Sequence, residues 1–157
     1  MSTSAQLHAE LKKVLWGHPW YGNSVYVTLA GITFEKAYKR PPGSAHTIAE
    51  IVLHMISWTE EVIDRMNEKA AGMPLGGNWP EPEQADDLKW NLYIDDLKLV
   101  NNNLLKAIDS FPEEKWHQPI IDERNEEPIV NYAELVRGLI QHHIYHQGQI
   151  GLLVKVV

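Results

Sequence analysis

The sequence contains no cysteine, and that one absence removes disulfides, thiolate-bound zinc, iron–sulfur clusters and a cysteine nucleophile together. Any metal held by the chain must therefore rest on His, Asp or Glu. Long apolar runs are missing too. None approaches the ~20 residues that a spanning helix needs, and MSTSAQLHAELKK at the N-terminus lacks the apolar core of a signal peptide. The expectation is a cytoplasmic protein with no membrane partner. Basic charge is scarce, with 14 Lys and Arg against 21 Asp and Glu and a formal charge of -7. Such a surface repels phosphate backbones unless its cations cluster. The only close grouping is Lys36, Lys39 and Arg40, so nucleic acid is not expected as a partner. No period of about 20 to 50 residues recurs, which sets repeat architectures aside.

What remains is an ordinary globular composition. Hydrophobic residues at 44% and charged residues at 22% argue against disorder. A chain of 157 residues can bury one sizeable core, so a single domain over residues 1–157 is expected. Proline and glycine break it at four places: GHPWYG (17–22), RPPGS (40–44), GMPLGGNWPEPE (72–83) and the stretch from Phe111 through Pro112 and Pro119 to Pro128. Each interrupts helix geometry by a fixed φ, a missing N–H or excess freedom.

Four long segments lie between these breaks. The first runs from Ser4 to about Lys39, as a short helix to Trp16, a turn, and a second helical piece from Asn23. The second, from about Thr47 to Ala70, repeats Ile48, Ile51, Met55, Val62 and Met66 at helical spacing, with Thr47 and Glu50 placed as a capping box. The third, Asp86 to Ser110, carries Leu88, Leu92, Tyr93, Leu97, Val100, Leu104 and Ile108 and begins under two acids at the positive end of its dipole. The fourth starts near Asn131 and carries Leu135, Leu139, Ile150 and Leu153. Four amphipathic helices without an alternating segment predict an all-α four-helix bundle. Ile120-Ile121 and Pro128-Ile129-Val130 can pair as a small hairpin before the last helix.

The last helix contains QHHIYHQGQI (141–150) between apolar flanks. Relative to His142, His146 falls about 40° round the helix and Leu135 and Leu153 about 20°, so both histidines point inward. His143 lies about 100° from His142 and is expected at the edge of that stripe. Two imidazoles one turn apart can reach one divalent ion. They can equally be core histidines bonded to other polar groups. A third ligand favours the ion, and His54 on the second long helix, where core meets a polar edge, supplies a candidate. Three protein ligands with one position left over is the pattern of a catalytic centre. No Glu follows the first histidine of the pair, so the HExxH arrangement and its built-in base are absent. If water is activated, the base would be the metal-bound hydroxide itself, Glu50, Glu61 or His143, and each of these three side chains also reads as an ordinary helix residue. His8, His18, His46 and His117 are assigned no metal. Trp16, Trp20 and Trp58 read either as the wall of an apolar pocket or as bundle core, and GMPLGGNWPEP as a surface loop over one bundle end.

His142-x-x-Tyr145-His146-x-Gly148-Gln149-Ile150, together with His54-x-x-x-Trp58, resembles the DinB/YfiT-like superfamily of metal-binding four-helix bundles. PWYGNS, RPPGSAHTIAEIVLH and FPEEKW resemble one branch of it, so the likeness spans nearly the whole chain. The resemblance implies that His54, His142 and His146 hold zinc, nickel or a similar divalent ion, with the remaining positions open to water or substrate. It also implies a homodimer. Activities among such proteins include thiol S-transfer, isomerisation of maleylpyruvate with a low-molecular-weight thiol, and metal-dependent hydrolysis. Relatives often carry Asp where this chain has His143. The function expected is a metal-dependent S-transferase or hydrolase acting on a small molecule, with a thiol cofactor or water as the activated group. The alternative is a non-catalytic, stress-associated scaffold in which a structural metal staples two helices.

Overall fold

The computed structural model describes residues 1–43 and 46–157, and the RPPGS break at 40–44 runs into residues outside that set. The described residues form six α-helices and no strand: α1 (Thr3–Trp16), α2 (Val25–Ala30), α3 (Phe34–Tyr38), α4 (Ile48–Met66), α5 (Asp87–Ser110) and α6 (Tyr132–Leu153), with a 3-10 turn at Glu113–Lys115. None of the helices is long and apolar enough to cross a membrane.

Short polar side chains set the helix starts. Thr47 accepts from the Glu50 N–H while Glu50 accepts from the Thr47 N–H, and Asn131 and Glu134 repeat that reciprocal box on α6. Asp86 accepts from the Lys89 N–H at the head of α5. Each cap satisfies backbone donors that a helix cannot pair internally and contributes about 1 kcal/mol. At α1, Ser2 accepts from the Ala5 N–H, and a distant residue adds to the cap: Glu113 accepts from Thr3 N at 2.6 Å. Helix α4 ends at Met66, four residues short of the expected Ala70, because Glu68 takes φ 69, a left-handed conformation that cannot continue a helix.

Helix α4 packs against α5 and α6, and α1 packs against the same two, so the four long helices surround one core. Leu7, Leu11, Leu15, Ile48, Met55, Leu97, Leu104, Ile108 and Ile150 are enclosed there, each worth roughly 1.5–3 kcal/mol of apolar burial. Two tryptophans join them with their indole N–H groups paired, Trp90 to the Ile32 carbonyl at 2.8 Å and Trp116 to the Ser4 hydroxyl at 2.9 Å. Three expectations need correction. The helical piece from Asn23 is two short helices, because Gly31 ends α2 and Thr33 caps α3. The hairpin is reduced to one antiparallel bridge between Pro119 and Asn131, with Ile120 N donating to Val130 O. Prolines at 119 and 128 have no N–H with which to extend the ladder. Trp16 and Trp20 are not core residues: they are 40% and 98% exposed.

Candidate metal centre

His54 lies two turns into α4, on the face that meets α6, and its position follows from the capping box that starts the helix at Ile48. His142 and His146 sit one turn apart in α6. The packing of α4 on α6 brings the three rings together, with His54 Nε2 2.9 Å from His142 Nε2 and His146 Nε2 3.0 Å from the same atom. His54 and His146 are buried and His142 is half-buried. One ligand atom from each lies within 4.8 Å of the others, an arrangement that can hold a metal ion.

Hydrogen bonds on the far side of the rings fix which nitrogens are bare. His54 Nδ1 meets the main-chain carbonyl of Asn78 at 2.5 Å. A carbonyl only accepts, so the proton sits on Nδ1 and Nε2 presents its lone pair. His146 Nδ1 likewise donates to Gln149 Oε1 at 2.7 Å. Two lone pairs thus aim at His142 Nε2, where a single N–H can serve only one of them well. Among the described residues His142 Nδ1 has no hydrogen-bond partner. The cluster is short of a donor at its centre, which is the place a cation takes. Tetrahedral bonds of about 2.0–2.1 Å put imidazole nitrogens about 3.3 Å apart, so His142 needs to part from each of the other two rings by only a few tenths of an ångström. Burial also keeps them neutral: it drives His142 down to about 3 and His146 to about 4, and lowers His54. Neutral imidazole is the form that ligates.

The loop between α4 and α5 closes over one side. Ser57 Oγ donates to the Gly77 carbonyl at 2.6 Å and Trp58 Nε1 to Asn78 Oδ1 at 2.8 Å. Trp79 stacks on His54, with ring centroids 3.8 Å apart and planes at 11°, while His46 stacks on its other face at 3.5 Å and 7°. The sequence marked this stretch only as a surface loop. Nothing in a Gly-Gly-Asn-Trp run announces that it supplies a carbonyl and an indole to a distant histidine.

The three candidate bases have other partners. Glu50 accepts from Thr47 N at 2.5 Å and Arg40 at 2.8 Å. Burial pushes its carboxyl up, but the Arg40 and Thr47 bonds outweigh that and leave it below the ordinary range. Glu61 accepts from Arg65, Lys69 and the Gly72 N–H. His143 faces α5 rather than the edge of the stripe and is fully enclosed. Its Nε2 is 2.9 Å from Asn101 Oδ1. Because Asn101 Nδ2 already donates to Leu97 O, His143 must donate there, and among the described residues its Nδ1 has no hydrogen-bond partner. A separate cavity of about 740 Å³ opens between α2 and α6, lined by Thr28, Ile144, Gln147 and Gly151 among others, and includes none of the three clustered histidines.

The described elements are all helical and bring three histidines together from two helices, two of them with N–H groups pinned outward and lone pairs inward, an arrangement that could hold a metal ion. The family model described as the DinB superfamily matches residues 24–150, and the chain belongs to that superfamily. No curated protein and no solved structure matched the chain.

Proposed function

We propose that the chain is a metal-dependent enzyme in which His54, His142 and His146 hold a divalent ion, zinc or nickel, between α4 and α6. We read residues 1–157 as one four-helix-bundle domain, cytoplasmic and homodimeric. The supporting observation is the convergence of three Nε2 atoms, two of them, on His54 and His146, with tautomers set by Asn78 and Gln149. When bound, such an ion lowers the pKa of a thiol or water beside it and so supplies a nucleophile at neutral pH. The chain's own part is to hold three neutral imidazoles in place and to leave further coordination to small molecules. The substrate is accordingly a small electrophile that accepts sulfur from a low-molecular-weight thiol, or an ester or amide that water cleaves. Glu50, Glu61 and His143 are retained only as candidate proton carriers, each already engaged elsewhere.

The near-complete burial of His54 and His146, at 5% and 4% exposure, favours a second reading, a structural metal that staples α4 to α6 in a scaffold protein. Cobalt substitution separates the two. An enzyme's centre binds azide or an added thiol with a change in the visible spectrum and consumes thiol in the presence of electrophiles. A spectrum indifferent to both, with no thiol consumption and no hydrolysis by the metal-restored protein, would leave the staple.

A further inference from the structure

Resting on the three-histidine reading, we propose that Trp79 is a positioning residue for the metal centre, an indole that fixes the plane of the His54 ring and favours its metal-bound form. Two coordinates define how an imidazole presents its lone pair: the direction of the ring and the tilt of its plane. For His54 the Asn78 carbonyl sets the first through Nδ1, and the Trp79 face, 3.8 Å away and nearly parallel, sets the second. Among the described residues no ring stacks face to face on the α6 ligands, and Tyr145 meets His146 edge-on at 5.0 Å and 77°. His146 leans on Gln149 of its own helix, and His142 Nδ1 has no hydrogen-bond partner among the described residues. Trp79 meets His146 only by its edge, at 6.0 Å and 88°.

The contact has a preferred charge state. An imidazole that ligates a divalent ion gives up electron density and becomes partly cationic, and a cation over an indole face is attracted by the ring's quadrupole. Stacking therefore strengthens when the ion arrives, which makes Trp79 a contributor to metal affinity and not merely to packing. Its second face is already covered by His46 at 3.5 Å, so the indole has no free face on which to stack a planar substrate. The segment from Gly77 to Trp79 is pinned to α4 at two further points, through Ser57 and Trp58, which keeps the indole from following a displaced ring. Outer partners of ligating histidines commonly change metal affinity by about 10–100-fold.

The test measures zinc affinity of the full chain by competition with a chromophoric chelator for wild type, Trp79→Phe, Trp79→Leu and His146→Ala, with cobalt absorption spectra of each. Affinity should fall in the order Trp, Phe, Leu, by about threefold for Phe and about tenfold or more for Leu, since the quadrupole weakens and then vanishes. The cobalt bands should shift in Trp79→Leu and be largely restored in Trp79→Phe. Equal affinities across the three residues, or Phe no better than Leu, would overturn the role of Trp79 while loss of binding in His146→Ala preserved the site itself. If Trp79→Leu does not fold, the comparison of Trp with Phe decides alone, and equality overturns the inference. Wild type that binds no zinc would remove the three-histidine reading and this inference with it.

Discussion

Replacing Glu61 with Gln keeps the shape of the side chain and removes its charge, which separates a structural from a catalytic use of that carboxylate. The side chain is 0% exposed, its partner Arg65 is 9% exposed and Lys69 34%. It accepts from Arg65 Nε at 2.7 Å, Lys69 Nζ at 2.5 Å and Gly72 N at 3.2 Å, while Arg65 also donates to the Gly72 carbonyl at 2.8 Å. The knot ties the end of α4 to the turn that leads into the Trp79 loop. Breaking a buried pair costs about 3–5 kcal/mol. The Lys69 share is partly screened by water and adds little, and Gln retains one acceptor, so about 3 kcal/mol is expected. For a chain of this size that is a fall of about 9 °C in Tm. Urea denaturation followed by far-UV circular dichroism at pH 7 measures the loss, and elemental analysis of the same samples should find metal content unchanged. The pH dependence has a definite sign. Burial raises the Glu61 carboxyl, but bonds from Lys69 and Arg65 outweigh it and hold the folded value below the ordinary 4.5. Its contribution is present above pH 4.5 and disappears as pH falls through the lower folded value, so the variant and wild type should converge in acid. A loss under about 0.5 kcal/mol, or one that does not shrink on acidification, would refute the ion-pair account.

Asn101→Ala should destabilise the protein by about 1–3 kcal/mol, because it leaves the His143 N–H unpaired in the core; thermal melts check this, and an unchanged Tm contradicts the assigned bond. Metal-free protein should lose stability steadily as pH drops from 6.5 towards 3. The unfolded chain protonates its histidines in that window while burial keeps His142 neutral down to about 3, so a flat profile in chelator-treated samples contradicts the buried, neutral cluster.

Most of the frame was legible from local signals. Thr47 and Glu50, Asp86, and Asn131 mark helix starts within a residue of where they occur, because caps are chemistry between near neighbours. The turn after Trp16 was legible from Pro19, but the second break in that segment was missed because Gly31 and Thr33 act over only three residues, too few to disturb an apolar pattern. His142 and His146 were legible as a pair through helix periodicity. Their convergence with His54 depends on how α4 lies on α6, which no spacing within one helix determines. His143 was misplaced for a related reason: α6 buries a wide face, from Leu139 and Ile140 round to His146 and Gln147, and a residue 100° off one stripe centre is central once α5 closes on it. Asn78 and Trp79 were invisible as contributors, since a main-chain carbonyl and a stacked ring leave no trace in residue type.

The central claim meets its most direct test in elemental analysis of natively purified wild type and His146→Ala, after equal exposure to zinc and gel filtration. The account predicts stoichiometric metal in wild type and essentially none in the variant, with both folded by circular dichroism. Equal metal in the two, or none in a folded wild type supplied with zinc, would contradict it.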